Sequence, residues 1–146
     1  MWFSRKQVAK SPPPGAVEGA PALPGQVTTK SRGDAAEAAA RDHLVRGGLK
    51  LMEANYRTPG RGGGEIDLIM RAPDGTLVFV EVRQRSGGSH GGAAASISTV
   101  KQRRIIFAAQ HYLLRFASPP PCRFDVVLVQ GQGAGIEWLP AAFDAS

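Results

Sequence analysis

Two runs of alternating and β-branched apolar residues stand on either side of a Pro-Asp-Gly sequence. The runs are residues 63–70 and 76–83, and together they predict a β-hairpin. Pro73 suits the first position of a type I turn, Asp74 suits the second, and Gly75 supplies a left-handed residue. We therefore predict a three-residue loop that contains a bulge.

The length of this loop decides which residues of the hairpin face each other. With three loop residues, Ala72 pairs with Thr76, and Asp67 lies opposite Glu81 with their Cβ atoms about 4.5–5.5 Å apart. A two-residue loop would put the two carboxylates on opposite faces, because side chains alternate with a period of two. Pro73 favours the three-residue loop, so we expect a facing pair of carboxylates that can hold one hard cation.

Glu81 stands at the end of the continuous apolar run 77–80, as expected for a strand that is covered on both faces. An unpaired carboxylate in such a strand is costly. The alternative is that the strand end emerges into solvent, where Glu65 and Arg83, opposite each other in the same register, form an ordinary cross-strand ion pair. Asp125, in a later apolar strand, is expected at a solvent-facing or helix-facing edge, outside the site.

Helices and further strands are predicted around the hairpin. A helix is expected from about Asp34, as N-cap, to Arg46, before Gly47-Gly48. The other expected elements are strands at 50–56, 123–129 and 136–139, a helix from about Thr99 to Phe116, and a last turn at 141–143. Since the hairpin and the strand at 123 need a helical crossover, the order α-β-β-β-α-β-β predicts an α/β fold: a single domain with a mixed β-sheet flanked by helices.

The second helix has an apolar face and a basic beginning. Its first turns carry Lys101, Arg103 and Arg104, the wrong sign for a helix N-terminus. This arrangement becomes favourable when a phosphate binds there, and the alternative is a solvated basic face. Apolar residues recur at helical spacing and predict the core face: Ile105, Ala108, Ala109, Tyr112, Leu113 and Phe116.

Composition adds a basic tail to this domain. Residues 1–30 are rich in proline, glycine and basic side chains and are predicted to be a disordered tail, which leaves 31–146 as the folded domain. The net charge is +6, of which residues 1–33 carry +4, so the tail either adds salt-sensitive affinity for nucleic acid or is charged because it is solvated. One cysteine excludes an internal disulfide. With no signal peptide or membrane span expected, a cytoplasmic protein is the default.

The chain resembles a known superfamily of nucleases. An acidic residue, a hairpin and then Glu-x-Lys is the pattern of the PD-(D/E)XK nucleases, which have the restriction-endonuclease-like fold and include archaeal Holliday-junction resolvases. The chain is more closely similar to the YraN family of small bacterial proteins, over roughly residues 31–143. The segments that carry this similarity are 55–57, 64–68, 79–83 and 122–127.

The resemblance implies a metal-dependent nuclease that hydrolyses phosphodiester bonds in DNA, including branched or processed DNA in repair or recombination. Asp67 and Glu81 would bind Mg²⁺ or Mn²⁺, and Glu65 would be a catalytic residue and an outer ligand of the metal. Glu37 matches the position of a helical carboxylate near the metal, although its place three residues after Asp34 also fits a capping box. The expected partner is nucleic acid, DNA in particular, and not a membrane; a homodimer and a protein partner in DNA processing are left open.

Basic residues are expected to bind the nucleic acid. Lys101 and Arg104 would hold its backbone, as would Arg85. Arg83 stands where the nuclease pattern has Lys. Arginine stays protonated and cannot be a general base, but it can clamp a phosphate and stabilise charge in the transition state. The alternatives are a non-catalytic nucleic-acid-binding protein that keeps the fold, and an adaptor that recruits a protein through an exposed sheet edge.

Overall fold

The computed structural model describes residues 29–85, 97–130 and 135–145, with the side chains of 29–32 and 85 left out. Residues 33–146 form one compact unit. The described elements follow the predicted order: α1 (Thr29–Arg46), β1 (Lys50–Arg57), β2 (Glu65–Arg71), β3 (Leu77–Arg85), α2 (Thr99–Leu113), β4 (Cys122–Gln130) and β5 (Ile136–Phe143). The predicted tail falls almost wholly outside these residues. No helix in the described ranges is long and apolar enough to cross a membrane.

The described strands form one mixed sheet in the order β1-β2-β3-β4-β5. Only β3 and β4 run parallel, and the other neighbours are antiparallel. A parallel connection needs a crossover, and α2 supplies it. The α/β fold class and the single domain predicted from the sequence are therefore confirmed.

The two helices contribute to different apolar clusters. The α1 cluster joins the helix to β2, β3 and β4 through Ala36, Ala40, Leu44, Leu68, Met70, Val78, Val80, Val127 and Val129. The α2 cluster includes Ile105, Ala108, Ala109, Tyr112, Leu77, Phe79 and Phe124. Leu113 and Phe116 are partly buried against the α2 cluster, so the predicted core face of the second helix is confirmed. Alternate residues of β3 thus face opposite layers.

The hairpin has the predicted loop and register. The amide of Ala72 donates to the carbonyl of Thr76 at 2.9 Å, and Gly75 has φ +95°. The pairing of β2 with β3 runs from Arg71↔Leu77 to Leu68↔Val80. This places Asp67 and Glu81 at the next position along the two strands, where the regular pairing ends.

Two helix boundaries differ from the prediction. The chain is already helical at Thr29, so Asp34 lies inside α1 and is not its N-cap. Gly33 does not stop this helix, because an interior glycine costs only about 0.5–1 kcal/mol relative to alanine. At the other end Gly48 has φ +105°, as a helix terminator should. The second helix ends at Leu113 and continues only as turns towards Phe116.

The last strand is also longer than predicted. Residues 136–143 form one strand, β5, instead of a short strand and a turn. Its pairing with β4 is irregular between Phe124 and Val126. Asp125 stands at this irregularity and is fully buried, so the expectation of a solvent-facing edge is wrong.

Candidate functional site

Asp67 and Glu81 meet where β2 and β3 separate. One oxygen of the Asp67 carboxylate accepts a hydrogen bond from the amide of Val82 at 2.8 Å, and the two carboxyl groups are hydrogen-bonded to each other. Glu81 is only 5% exposed. The prediction of a facing pair is therefore confirmed, and the alternative in which the strand end emerges into solvent is wrong at Glu81.

Burial and mutual repulsion make this pair retain a proton. Burial raises the pKa of Glu81 to about 7, with the charge of Asp67 as the second cause. Burial also raises the pKa of Asp67, although the Val82 amide and the charge of Lys101 oppose this shift. The hydrogen bond between the acids raises the pKa of Glu81 and lowers that of Asp67. The pair therefore binds a proton more tightly than two free carboxyl groups would, with the larger shift at Glu81.

Lys101 reaches the carboxylate pair from the first turn of α2. Its Nζ lies 3.5 Å from Oε2 of Glu81, and its side chain is 44% exposed. Ser98 caps the helix and accepts a hydrogen bond from the Lys101 amide at 3.0 Å. This bond fixes the backbone position from which the Lys101 side chain extends. The sequence predicts a phosphate contact for Lys101, and the structure shows its ammonium group against Glu81.

Asn55 lies where β1 and β2 both change face. Ala54 packs in the α1 cluster and Tyr56 in the α2 cluster, although regular alternation would put them on one face. Asn55 between them has φ +54°, a left-handed conformation that asparagine tolerates better than most residues. The pairs Ala54↔Leu68 and Tyr56↔Ile66 place Asn55 opposite Asp67.

Glu37 approaches this place from α1. The Asn55 side-chain amide donates to Oε1 of Glu37 at 2.9 Å. The pKa of Glu37 is raised by burial, and the charge of Asp67 adds to this effect. Since Asp34 is inside the helix, the capping-box interpretation of Glu37 is wrong. The side chains from the two helix layers thus converge on one edge of the β2–β3 pairing.

The predicted three-carboxylate metal set is not assembled by side chains alone. Within the described ranges, no three His, Cys, Asp or Glu residues are grouped closely enough to hold a metal ion. Asp67 and Glu81 are in contact, whereas Glu37 is bonded to Asn55. A cation at the carboxylate pair would complete its coordination with backbone carbonyls and water, which Mg²⁺ commonly retains.

Glu65 and Arg83 do not pair with each other as predicted. The β2–β3 pairing ends at Leu68↔Val80, so Glu65 faces Arg57 of β1 instead. The distance from Arg57 Nε to Glu65 Oε1 is 3.8 Å, and the side chains are 74% and 46% exposed, which makes this a weak surface ion pair. Arg83 lies opposite Leu128 of β4, and its charge lowers the pKa of Glu81.

A polar cleft of about 290 Å³ opens beside the carboxylate pair. Its walls are the loop between β1 and β2, the end of β1 and the first turns of α2. Lys101 and Arg104 line it together with Arg57, Thr58 and Glu65. Two of the three predicted nucleic-acid-binding residues therefore share one cleft; the third, Arg85, has its side chain outside the described part of the chain.

Asn55 and Arg57 were not predicted as site residues. The signal for Asn55 was an asparagine within a strand, since this residue type tolerates a left-handed backbone. Its position opposite Asp67 depends on the β1–β2 register, which shifts between Leu51 and Glu53. Turn chemistry fixed the β2–β3 register, but no comparable signal fixes a register that contains a bulge.

Comparisons with known proteins identify the family of the chain. Residues 36–129 match the model of the uncharacterised protein family UPF0102. The chain is 73% identical, over the full length of both chains, to UPF0102 proteins of Polaromonas sp. (strain JS666) and Polaromonas naphthalenivorans. It is 70% identical to one of Albidiferax ferrireducens, over 81% of this chain and 91% of that protein. The chain therefore belongs to UPF0102, the YraN family that its motifs resemble.

Proposed function

We propose that the protein is a metal-dependent nuclease that hydrolyses phosphodiester bonds in DNA. The observation that carries this proposal is the pair formed by buried Glu81 and partly buried Asp67, with Lys101 against it. Two acids of like charge in a buried place cost stability, so their proximity needs another reason. Strongly shifted carboxyl pKa values beside an open cleft are typical of functional sites.

The carboxylate pair fits a hard divalent cation. Asp67 and Glu81 supply the oxygen donors that Mg²⁺ and Mn²⁺ prefer, and burial with the charge of Asp67 raises the pKa of Glu81 to about 7, so the pair tends to retain a proton. A cation there would replace that proton and relieve the repulsion. When bound, it would act as a Lewis acid at the phosphate and lower the pKa of a coordinated water. Glu37, held by Asn55, would orient an outer water molecule.

The basic side chains would have the remaining roles in binding and catalysis. Lys101, next to Glu81, would stabilise the scissile phosphate and can exchange a proton with a reacting water. Arg83 would stabilise charge that develops in the transition state. Arg104, in the adjoining cleft, would hold the DNA backbone. Since bacterial DNA lies in the cytoplasm, we propose that the protein acts there.

Labelled linear, flapped and four-way DNA, incubated with Mn²⁺, would test this proposal. Wild type should cleave at least one of the three, and Asp67→Ala should not. Asp42→Ala is a matched control, because Asp42 is an exposed aspartate on α1. Mn²⁺ should also raise the melting temperature of the wild type by mass action, and Asp67→Ala should lose that shift. An Asp67→Ala protein that cleaves, or that keeps the full metal shift, would eliminate this site.

A non-catalytic nucleic-acid-binding protein is the second candidate. The observation that favours it is Arg83 at the position where the nuclease pattern has Lys. In that case DNA binding would survive both chelation and Asp67→Ala, and none of the three substrates would be cut with Mn²⁺ present. Arg83→Lys would then restore no cleavage.

A further inference from the structure

The loop between β1 and β2 packs unusually close to α2. A Cβ atom added at Gly64 would lie 1.9 Å from the carbonyl oxygen of Arg104, and one at Gly63 would lie 1.8 Å from Oγ1 of Thr58. The Gly64 amide donates to Thr58 Oγ1 at 2.8 Å, and the Thr58 amide donates to the Gly64 carbonyl at 3.1 Å. The loop is thus closed on itself and brings bare backbone up to the helix.

The cleft that this loop forms with α2 has an excess of positive charge. Among the described residues that line it, Arg57, Lys101 and Arg104 stand against one acid, Glu65. The ion pair that joins Arg57 to Glu65 is long and exposed, so it does not neutralise the arginine tightly. Arg57 comes from β1, whereas Lys101 and Arg104 come from α2, so the cations line the cleft from two elements and can contact an anion from both.

One residue, Lys101, links the cleft to the carboxylate pair. Lys101 lines the cleft, and its Nζ is 3.5 Å from the Glu81 carboxylate. A volume of about 290 Å³ is at the lower limit for small-molecule sites and suits a phosphate with part of its sugar. A polynucleotide whose reacting phosphate lies at Asp67 and Glu81 would therefore place another phosphate here.

We propose that this cleft binds a backbone phosphate of the polynucleotide, next to the phosphate that lies at the carboxylate pair. The proposal rests on the proposed function for its ligand, but it concerns binding and not hydrolysis. Arg57 and Arg104 clamp the phosphate oxygens, and the glycine loop leaves room for the sugar-phosphate chain. Glu65 opposes binding by its charge, which keeps the contact weak enough for release.

Binding of a labelled DNA oligonucleotide in EDTA, measured by fluorescence anisotropy over a series of salt concentrations, tests the cleft without catalysis. Arg57→Gln and Arg104→Gln should each raise Kd about tenfold at low salt and reduce the salt slope by about one. Glu65→Gln should lower Kd about two- to fivefold, because it removes a repelling charge. Arg103→Gln is the matched control: it removes the same charge from an exposed residue of the same helix that does not line the cleft.

If Arg103→Gln and Arg104→Gln weaken DNA binding equally, the cleft proposal is wrong, and binding depends only on a diffuse basic surface. Thermal stabilisation by inorganic phosphate that Arg104→Gln abolishes, with oligonucleotide binding unchanged, would identify a small-anion site and also overturn the cleft proposal. The result is separable from that of the nuclease test. If no DNA is cleaved but both arginine substitutions weaken binding as expected, only the nuclease proposal is wrong. If DNA is cleaved but the arginine substitutions have no effect on binding, only the cleft proposal is wrong.

Discussion

The protein buries carboxylates in two places and treats them in opposite ways. Asp125 on β4 is fully buried, and protein donors satisfy it. It accepts hydrogen bonds from Arg123 Nε at 3.0 Å, from the Trp138 indole at 2.8 Å and from the Ala141 amide at 2.9 Å. The bonds from Trp138 and Ala141 join β4 to β5 across the irregular part of their pairing. This carboxylate is a structural group.

Glu81 is also buried and Asp67 is partly buried, but the partners of these two acids are different. Each has the other acid as a partner, and the cation at Glu81 is the half-exposed Lys101, at 3.5 Å. Lys101 and Arg83 lower the pKa of Glu81, but burial and the charge of Asp67 outweigh them, so the cations compensate the negative charge of this pair only in part. The difference shows that burial alone does not mark a site; burial with incomplete compensation does.

The largest expected effect lies at the structural carboxylate. Asp125→Ala removes a negative charge from beside Arg123 and leaves the donors of Trp138 and Ala141 without their acceptor. We expect a loss of about 3–5 kcal/mol in the free energy of unfolding, measured by urea denaturation. Asp67→Ala should change the metal-free protein little or stabilise it, since it removes one of two repelling charges. A larger loss at Asp67 than at Asp125 would reverse the assignment of the two regions.

The second prediction concerns the rate and separates the two cations near Glu81. If each acts on the transition state, Lys101→Ala and Arg83→Ala should each lower the cleavage rate by about 10²–10³ while the proteins stay folded. Arg83→Lys should retain or improve the rate, because Lys is the residue in the resembling nucleases. Arg103→Ala controls for general charge. Wild-type cleavage by an Arg83→Ala protein that only melts earlier would make Arg83 structural.

The third prediction is a pH dependence that only the site region should show. The pKa of Glu81 is raised in the folded protein from 4.5 to about 7, so the folded state binds this proton more tightly than the unfolded state. The resulting stabilisation is present below pH 4.5 and is lost as the pH rises towards 7. It amounts to at most about 3 kcal/mol, measured without metal. Glu81→Gln should flatten this slope, and an unchanged slope would contradict the raised pKa of Glu81.

Metal binding should show the opposite dependence on pH. A cation must displace the proton held by Glu81, so the affinity for Mn²⁺ should weaken as the pH falls below about 7. Calorimetric titration at several pH values measures this directly. An affinity that does not change between pH 6 and 8 would place the metal away from Glu81.

The sequence could predict the features of the fold and the site that depend only on neighbouring residues. The turn residues Pro73, Asp74 and Gly75 set the hairpin register through neighbours only, and that register correctly brought Asp67 to Glu81. The apolar face of α2 follows from helical spacing and was also correct. These features need no knowledge of the remaining fold.

The missed features depend on contacts between distant elements. Lys101 reaches Glu81 only because α2 packs across β3, and Glu65 pairs with Arg57 because β1 supplies a nearer partner. Asp34 looked like a helix start because residues 29–32 carry no strong local helix signal. The position of Asn55 in the site depends on the change of face of β1 beside Asp67, which the sequence does not indicate.

The smallest expected effect compares the two non-glycine residues that have positive φ in the described parts of the chain, Asn55 at +54° and Ala141 at +50°. One lies beside each buried carboxylate. Ala141 donates to Asp125 through its backbone amide, which glycine also provides, so Ala141→Gly should remove left-handed strain and stabilise the protein by about 0.5–1 kcal/mol. Asn55→Gly removes strain as well, but it loses the side-chain bond to Glu37. Its stability should stay within about 1 kcal/mol of the wild type, while cleavage falls.

Asn55→Ala completes this last test. Alanine would carry both the left-handed strain and the lost hydrogen bond, so it should be less stable than Asn55→Gly by about 1 kcal/mol. Thermal unfolding of the three variants, read together with their cleavage rates, separates backbone strain from the contact with Glu37. If Asn55→Gly cleaves as fast as the wild type, the side-chain bond from Asn55 to Glu37 is not needed for cleavage. The role of Asn55 would then be limited to its left-handed backbone conformation, which lets β1 change face.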